Sequence, residues 1–208
     1  NGVVIRMNMM RFTTMKTKLR KYPSIFLILL LAISSCFLTG CVNQHPKDSK
    51  KSSQGESVET MLEITDPKEK QAVLNAKAKV KALSGNPRIV ATSPAVADIC
   101  DKLDLDLVGV PKSSVSKIPS RYKKVKKVGL AMSPDMEIVS SLNPDWILAP
   151  SSLETDLKPK FEELKNTEYA FLNLRSVQGM YRSVQELGEI FGKQQEAEKM
   201  TKEFTTFY

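Results

Sequence analysis

The chain of 208 residues has a single histidine, a single tryptophan and only three cysteines. One histidine argues against a multi-histidine metal centre within the chain. Three cysteines are too few for a disulfide-stapled scaffold. Nine glycines and eleven prolines rule out a collagen-like repeat. There is no glycine-rich phosphate loop, no Cys-x-x-Cys, no His-Glu-x-x-His and no Gly-x-Ser-x-Gly elbow. The sequence therefore offers no enzyme. With 41% hydrophobic residues it is also neither fully disordered nor a multi-span membrane protein. The length suits one large domain or two small ones, enough to bury a sizeable core.

The formal net charge is +8, and it is unevenly placed. Residues 1–40 hold six basic side chains (Arg6, Arg11, Lys16, Lys18, Arg20 and Lys21) and no acid, whereas the remainder is close to balanced. The high isoelectric point thus belongs mostly to the N-terminal segment and does not by itself point to nucleic acid.

That segment reads as a secretory leader. Basic residues 16–21 precede Ile25–Gly40, which carries no charge. As a helix this run would rise about 24 Å, short of a roughly 30 Å hydrocarbon core, which favours a signal peptide over a permanent span. A start at Met15 would give a compact leader and leave residues 1–14 untranslated. The run ends in Leu38-Thr39-Gly40-Cys41, which resembles the bacterial lipobox: small residues fit the peptidase, and the Cys41 thiol accepts the acyl chain. Cys36 would leave with the leader, and Cys100 would remain as the one free thiol.

Residues 41–65 are polar and read as a flexible lipid-anchored tether. His45 lies there with nothing to fix its position, which makes it a poor ligand. Asp66-Pro67-x-Glu69 signals a helix start, with a helix to about Leu83; residues 66–87 form an accessory helix and linker. From Arg88 the rhythm changes. Short apolar runs at 88–92, 107–110, 145–149 and 169–172 read as strands. Helices are expected from Ser93-Pro94 to Leu103, over Pro134–Leu142, over Leu153–Leu164 with a break near Pro159, and from Ser176 onward. Alternation of this kind gives an α/β fold, a four-stranded parallel sheet flanked by helices, with ligands gathering at the carboxyl ends of the strands. Lys193–Tyr208 reads as a charged helix with neither glycine cap nor following proline, so the chain is expected to be truncated in mid-helix.

Three features invite chemistry. Asp98, Asp101, Asp104 and Asp106 cluster without calcium-loop spacing and read as a solvated face. Lys112, Lys117, Arg121, Lys123, Lys124, Lys126 and Lys127 occur with no acid between Asp106 and Asp135. They would attract carboxylates of a ligand or an anionic membrane surface, or simply form a solvated face. Finally, Met132 in Gly129-Leu130-Ala131-Met132-Ser133-Pro134 falls at a strand-to-helix junction, one residue before the expected helix start. A thioether there is a soft ligand suited to haem iron, although a methionine so placed also serves packing.

These stretches carry a resemblance. Residues 88–111, 118–150 and 176–200 resemble the cluster-type substrate-binding proteins of bacterial ABC importers for iron complexes and cobalamin. The patterns Asp101–Leu105, Pro119–Lys123 and Gly129–Pro134 resemble the haem-receptor branch of Gram-positive bacteria. The resemblance implies a two-lobed periplasmic-binding-protein-like fold, with the N-terminal lobe over residues 88–182 and the start of an interlobe helix over 183–208. It implies that Met132 is an axial haem-iron ligand, with a histidine from the second lobe as the other. Thr92, Ser93, Pro94 and Ala95, the loop with Lys112, Ser113, Ser114 and Lys117, and Ala131 would line the pocket. Ser113–Ser116 supplies no tyrosine for a propionate, which departs from the branch.

The function so implied is non-enzymatic: haem as transported ligand, an ABC permease as partner, surface haem-relay proteins upstream, no nucleic acid, and a lipid anchor on the extracytoplasmic face of the cell membrane. The alternatives are a ferric siderophore or cobalamin receptor of the same family, or a surface lipoprotein whose activity lies in a missing half.

Overall fold

The computed structural model describes residues 5–7, 64 and 66–207, with side chains at 64 and 66–202. The lipobox, the tether up to residue 63 and all of the leader except residues 5–7 lie outside the described residues.

The core is a sheet of six strands in the order β1-β8-β7-β2-β3-β4. These are β1 (Ile5–Met7), β2 (Ile89–Ala91), β3 (Leu107–Val110), β4 (Lys126–Lys127), β7 (Trp146–Pro150) and β8 (Glu168–Leu172). All neighbours are parallel except β1, which runs antiparallel along β8. The four expected strands are therefore present and parallel. Two were not expected: β4, hidden in the basic loop, and β1, within the leader.

Strand side chains alternate between faces. Ile89, Ala91, Trp146, Leu148, Ala170 and Leu172 belong to one buried cluster, and Val90, Ile147, Ala149, Tyr169 and Phe171 to the other. Both faces are covered, which explains why the strands read as continuous apolar runs. Helices α1 (Pro67–Lys81), α2 (Pro94–Lys102), α5 (Val177–Phe191) and α6 (Gln194–Phe207) contribute to the first cluster. Helices α3 (Met136–Ser141) and α4 (Glu154–Glu162) cover the second. On the first face Trp146 meets Phe191 edge-on, with ring centroids 5.5 Å apart. On the second, Phe161 stacks on Phe171 and tilts against Tyr169.

Local signals explain the helix boundaries. Asp66 accepts the Lys68 amide at 2.8 Å and starts α1; Ser93 accepts the Val96 amide and starts α2; Ser176 accepts the Gly179 amide and starts α5. Such caps contribute about 1 kcal/mol each. Pro159 sits inside α4 without breaking it. Helix α1 docks on the body through Val73 and Ala76 and through three ion pairs, Glu69–Arg182, Lys77–Glu189 and Lys79–Glu168.

The structure modifies three further expectations. No helix starts at Ser133-Pro134. Those residues form β6 (Ser133–Pro134), which pairs antiparallel with β5 (Gly129–Leu130), and Asp135 caps α3 by accepting the amides of Glu137 and Ile138. The stretch 183–208 is not one helix: α5 ends at Gly192, whose φ of 71° is the left-handed conformation that closes a helix, and α6 begins afresh at Gln194. The acidic cluster is not merely a solvated face. Arg121 bonds Asp104 at 2.9 Å and Asp106 at 2.8 Å and lies 3.9 Å from Asp101, while Lys193 takes the other oxygen of Asp104. Hydrogen bonds from Lys193 and Arg121 hold the Asp104 carboxyl below its usual range. The carboxylates thus fasten the segment before β4, and the start of α6, to the turn before β3.

Candidate ligand-binding site

The chain runs from β2 outward to β3 and β4, then crosses back to β7 and β8 on the other side of β2. The helices that follow β2 and β7, α2 and α4, pack on opposite faces, and the carboxyl ends of these strands are where a ligand is expected to bind in an open α/β sheet. The candidate site is this edge of the sheet.

After β2, Thr92 is buried. Its amide donates to the Leu148 carbonyl at 3.0 Å, and its hydroxyl faces the same oxygen at 3.4 Å. Ser93 is also buried, and its hydroxyl oxygen already accepts the Val96 amide. Pro94 is half-buried and Ala95 exposed. Of this expected group, Thr92 and Ser93 serve the β2–β7 junction and the α2 cap, and Pro94 and Ala95 present the accessible surface. Ala95 also borders a cleft of about 620 Å³ between α2, α5 and α6, together with Leu174, Met180, Tyr181 and Met200.

After β3, Lys112, Ser114 and Lys117 are exposed and Ser113 is half-buried. The Ser113 hydroxyl accepts the Ser116 amide at 3.0 Å and shapes the turn that lifts Val115 into solvent, 95% exposed.

After β4 comes the β5–β6 hairpin, with Ala131 and Met132 as its two-residue turn. Gly129 makes the hairpin possible. Its φ is 94°, and a Cβ there would stand 2.9 Å from the Asp135 amide nitrogen. Val128 anchors the base: its amide donates to Val110 and its carbonyl accepts the Asp135 amide. Met132 is thus at the tip of a tied hairpin, 72% exposed, with Leu130 beside it at 58% and Ala131 half-buried. This differs from the strand-to-helix junction expected for it, while keeping it at the carboxyl edge.

The backbone joins the second and third groups directly, through the Lys112 amide and the Gly129 carbonyl. Ser151 and Ser152, which the sequence analysis does not single out, follow β7 directly at the same carboxyl edge. Among the described residues no group of three or more His, Cys, Asp or Glu is placed to hold a metal ion. The soft donor at this edge is the Met132 thioether.

Comparison with known proteins agrees with the fold. Residues 89–208, more than half of the chain, match the periplasmic binding protein family. The chain belongs to that family. A curated relative is the high-affinity heme uptake system protein IsdE of Staphylococcus aureus, 36% identical over 117 residues, which are 56% of this chain and 39% of that protein. The crystal structure of S. aureus IsdE complexed with heme superposes with a TM-score of 0.55 at 34% identity, over 59% of this chain and 46% of that one. An ABC transporter substrate-binding protein from Listeria monocytogenes gives a TM-score of 0.56 at 44% identity, with the same coverage. The siderophore-binding protein BauB, bound to acinetobactin and ferric iron, gives 0.50 at 25% identity, over 58% of this chain and 45% of that one. The chain spans less than half the length of these relatives. Their family shares the α/β fold described above.

Proposed function

We propose that this chain is the N-terminal lobe of a lipid-anchored substrate-binding protein of an ABC importer, and that its cargo is haem. The observation that carries the reading is Met132: a thioether raised to the tip of a rigid hairpin at the ligand edge, exposed and free to meet iron. Lys112 and Lys117 stand on the adjoining loop, suited to propionates, and Leu130 and Val115 offer apolar contact to a porphyrin face. The similarity to IsdE supports the same cargo.

In this reading Pro94, Ala95, Lys112, Ser113, Ser114, Lys117 and Ala131 line half a cleft. A second lobe supplies the other iron ligand, and α6 begins the connection to it. Residues 1–40 are the leader, so β1 would not remain in the processed chain and β8 would become the sheet edge; Cys41 carries the lipid, and residues 42–65 tether the lobe to the extracytoplasmic face of the membrane. The permease receives the cargo, surface haem-relay proteins deliver it, and the lobe performs no covalent chemistry.

The test is a haem titration followed by absorbance, comparing the native chain with Met132→Ala. Saturable binding whose spectrum changes with the substitution supports the reading; identical spectra overturn the ligand assignment. A second reading, a ferric siderophore receptor, is favoured by the likeness to BauB and by the exposed lysines at the edge. Competition among haem, ferric siderophores and cobalamin separates the two. Siderophore preference would displace haem, and retention of none of them would favour an unrelated activity outside this lobe.

A further inference from the structure

The strand β4 closes one edge of the sheet, in register with Gly109 and Val110 of β3, and both its residues are exposed lysines. Lys123 and Lys124, also exposed, precede it, and Lys112 and Lys117 lie in the neighbouring loop. No acid occurs between Asp106 and Asp135 to offset them. The nearest carboxylates before them, Asp104 and Asp106, are both engaged by Arg121, at 2.9 and 2.8 Å. Arg121 is the one cation of the segment that forms an ion pair among the described residues. The lysines are therefore left as an unneutralised basic rim along one side of the lobe.

We propose that this rim, formed by Lys123, Lys124, Lys126 and Lys127, rests on an anionic lipid surface. Lysines on an open edge strand also discourage pairing with another strand, which keeps the edge free for such contact. Clustered lysines near a bilayer are attracted by anionic headgroups within about a Debye length, roughly 8–10 Å. The nearness of a bilayer rests on the lipid-anchor reading above. On that same reading, the 24 mostly polar residues between anchor and lobe would span about 25–30 Å as a random coil, so an anchored lobe would reach the surface. The charge pattern itself is independent of the cargo.

The test is flotation of the full chain with vesicles of phosphatidylcholine, alone or mixed with phosphatidylglycerol. The native chain is compared with a quadruple variant (Lys123→Gln, Lys124→Gln, Lys126→Gln and Lys127→Gln) and with a control variant, Lys158→Gln with Lys165→Gln, which removes exposed lysines elsewhere. Any binding to neutral vesicles through the apolar run 25–40 is common to all three. Anionic lipid is expected to strengthen binding of the native and control chains. The quadruple variant is expected to lose at least about tenfold of that gain, with an unchanged circular dichroism spectrum. The native gain is also expected to shrink as salt is raised. No gain from anionic lipid, a gain that survives in the quadruple variant, or an equal loss in the control overturns the proposal. Tighter binding to a DNA duplex through the same four lysines also overturns it, with nucleic acid as the partner. Haem titration of the quadruple variant reads the cargo separately, so the two readings fail independently.

Discussion

The Lys112 amide donates to the Gly129 carbonyl at 2.6 Å, tying the loop after β3 to the hairpin that carries Met132. The two groups that would meet a ligand at this edge are therefore one mechanical unit. A disturbance at the base of the hairpin should reach both.

Gly129→Ala tests that coupling. The substitution forces an L side chain into φ 94° and brings its Cβ within 2.9 Å of the Asp135 nitrogen. We expect a loss of about 1–3 kcal/mol in urea unfolding. We also expect weaker haem binding than in native protein at a urea concentration where both remain folded. Unchanged haem affinity would separate the hairpin from the site.

Glu186 of α5 is fully buried, with Glu69 of α1 as its neighbouring carboxyl group. Burial, and next the neighbouring Glu69 carboxylate, push its pKa from 4.5 up to about 9. Between those values the folded state keeps a proton that the unfolded state releases. Stability should then fall as pH rises from about 4.5 to about 9 and level off beyond. Glu186→Gln should stabilise the protein at pH 8 by on the order of 2 kcal/mol and flatten that slope. Urea midpoints at pH 5 and pH 8 read it; an equal slope in both proteins would contradict the assignment.

Asp104 acts in the opposite sense. Lys193 and Arg121 depress its carboxyl, so its contribution is complete above the unfolded value and disappears as pH falls through the folded one. Asp104→Asn should lower stability at pH 6 and make the acid limb of the unfolding curve shallower. A variant as acid-sensitive as the native chain would show that the contact carries no stability.

Cys100 is wholly buried, and burial pushes its thiol up to about 12. It should resist thiol reagents in the folded protein and react fully in denaturant. Peptide mass mapping keeps its signal apart from Cys36 and Cys41. Rapid labelling of the folded protein would mean that α2 opens readily.

The large pieces of the fold were legible because their signals are local. Apolar runs such as Trp146–Pro150 are bounded by turns, and Ser93-Pro94 and Ser176 announce their helices within three residues. The missed pieces lack such signals. The strands β4, β5 and β6 have two residues each, too few for periodicity, and β4 consists of two lysines. The α3 cap passed to Asp135 because Ser133 and Pro134 are held in the hairpin. The pairing of Arg121 with Asp104 and Asp106 spans 15–17 residues and exists only once β3 and β4 lie side by side. The strand alternation is readable from sequence and with it the expectation of a carboxyl-edge site, whereas the hairpin that lifts Met132 exists only in the folded chain.

The lone tryptophan has a practical consequence. Trp146 is 1% exposed and set edge-on to Phe191, where β7 meets α5. Its fluorescence is therefore an internal gauge of whether the central strand and its covering helix are in register. Each titration and unfolding curve above carries that readout without a label.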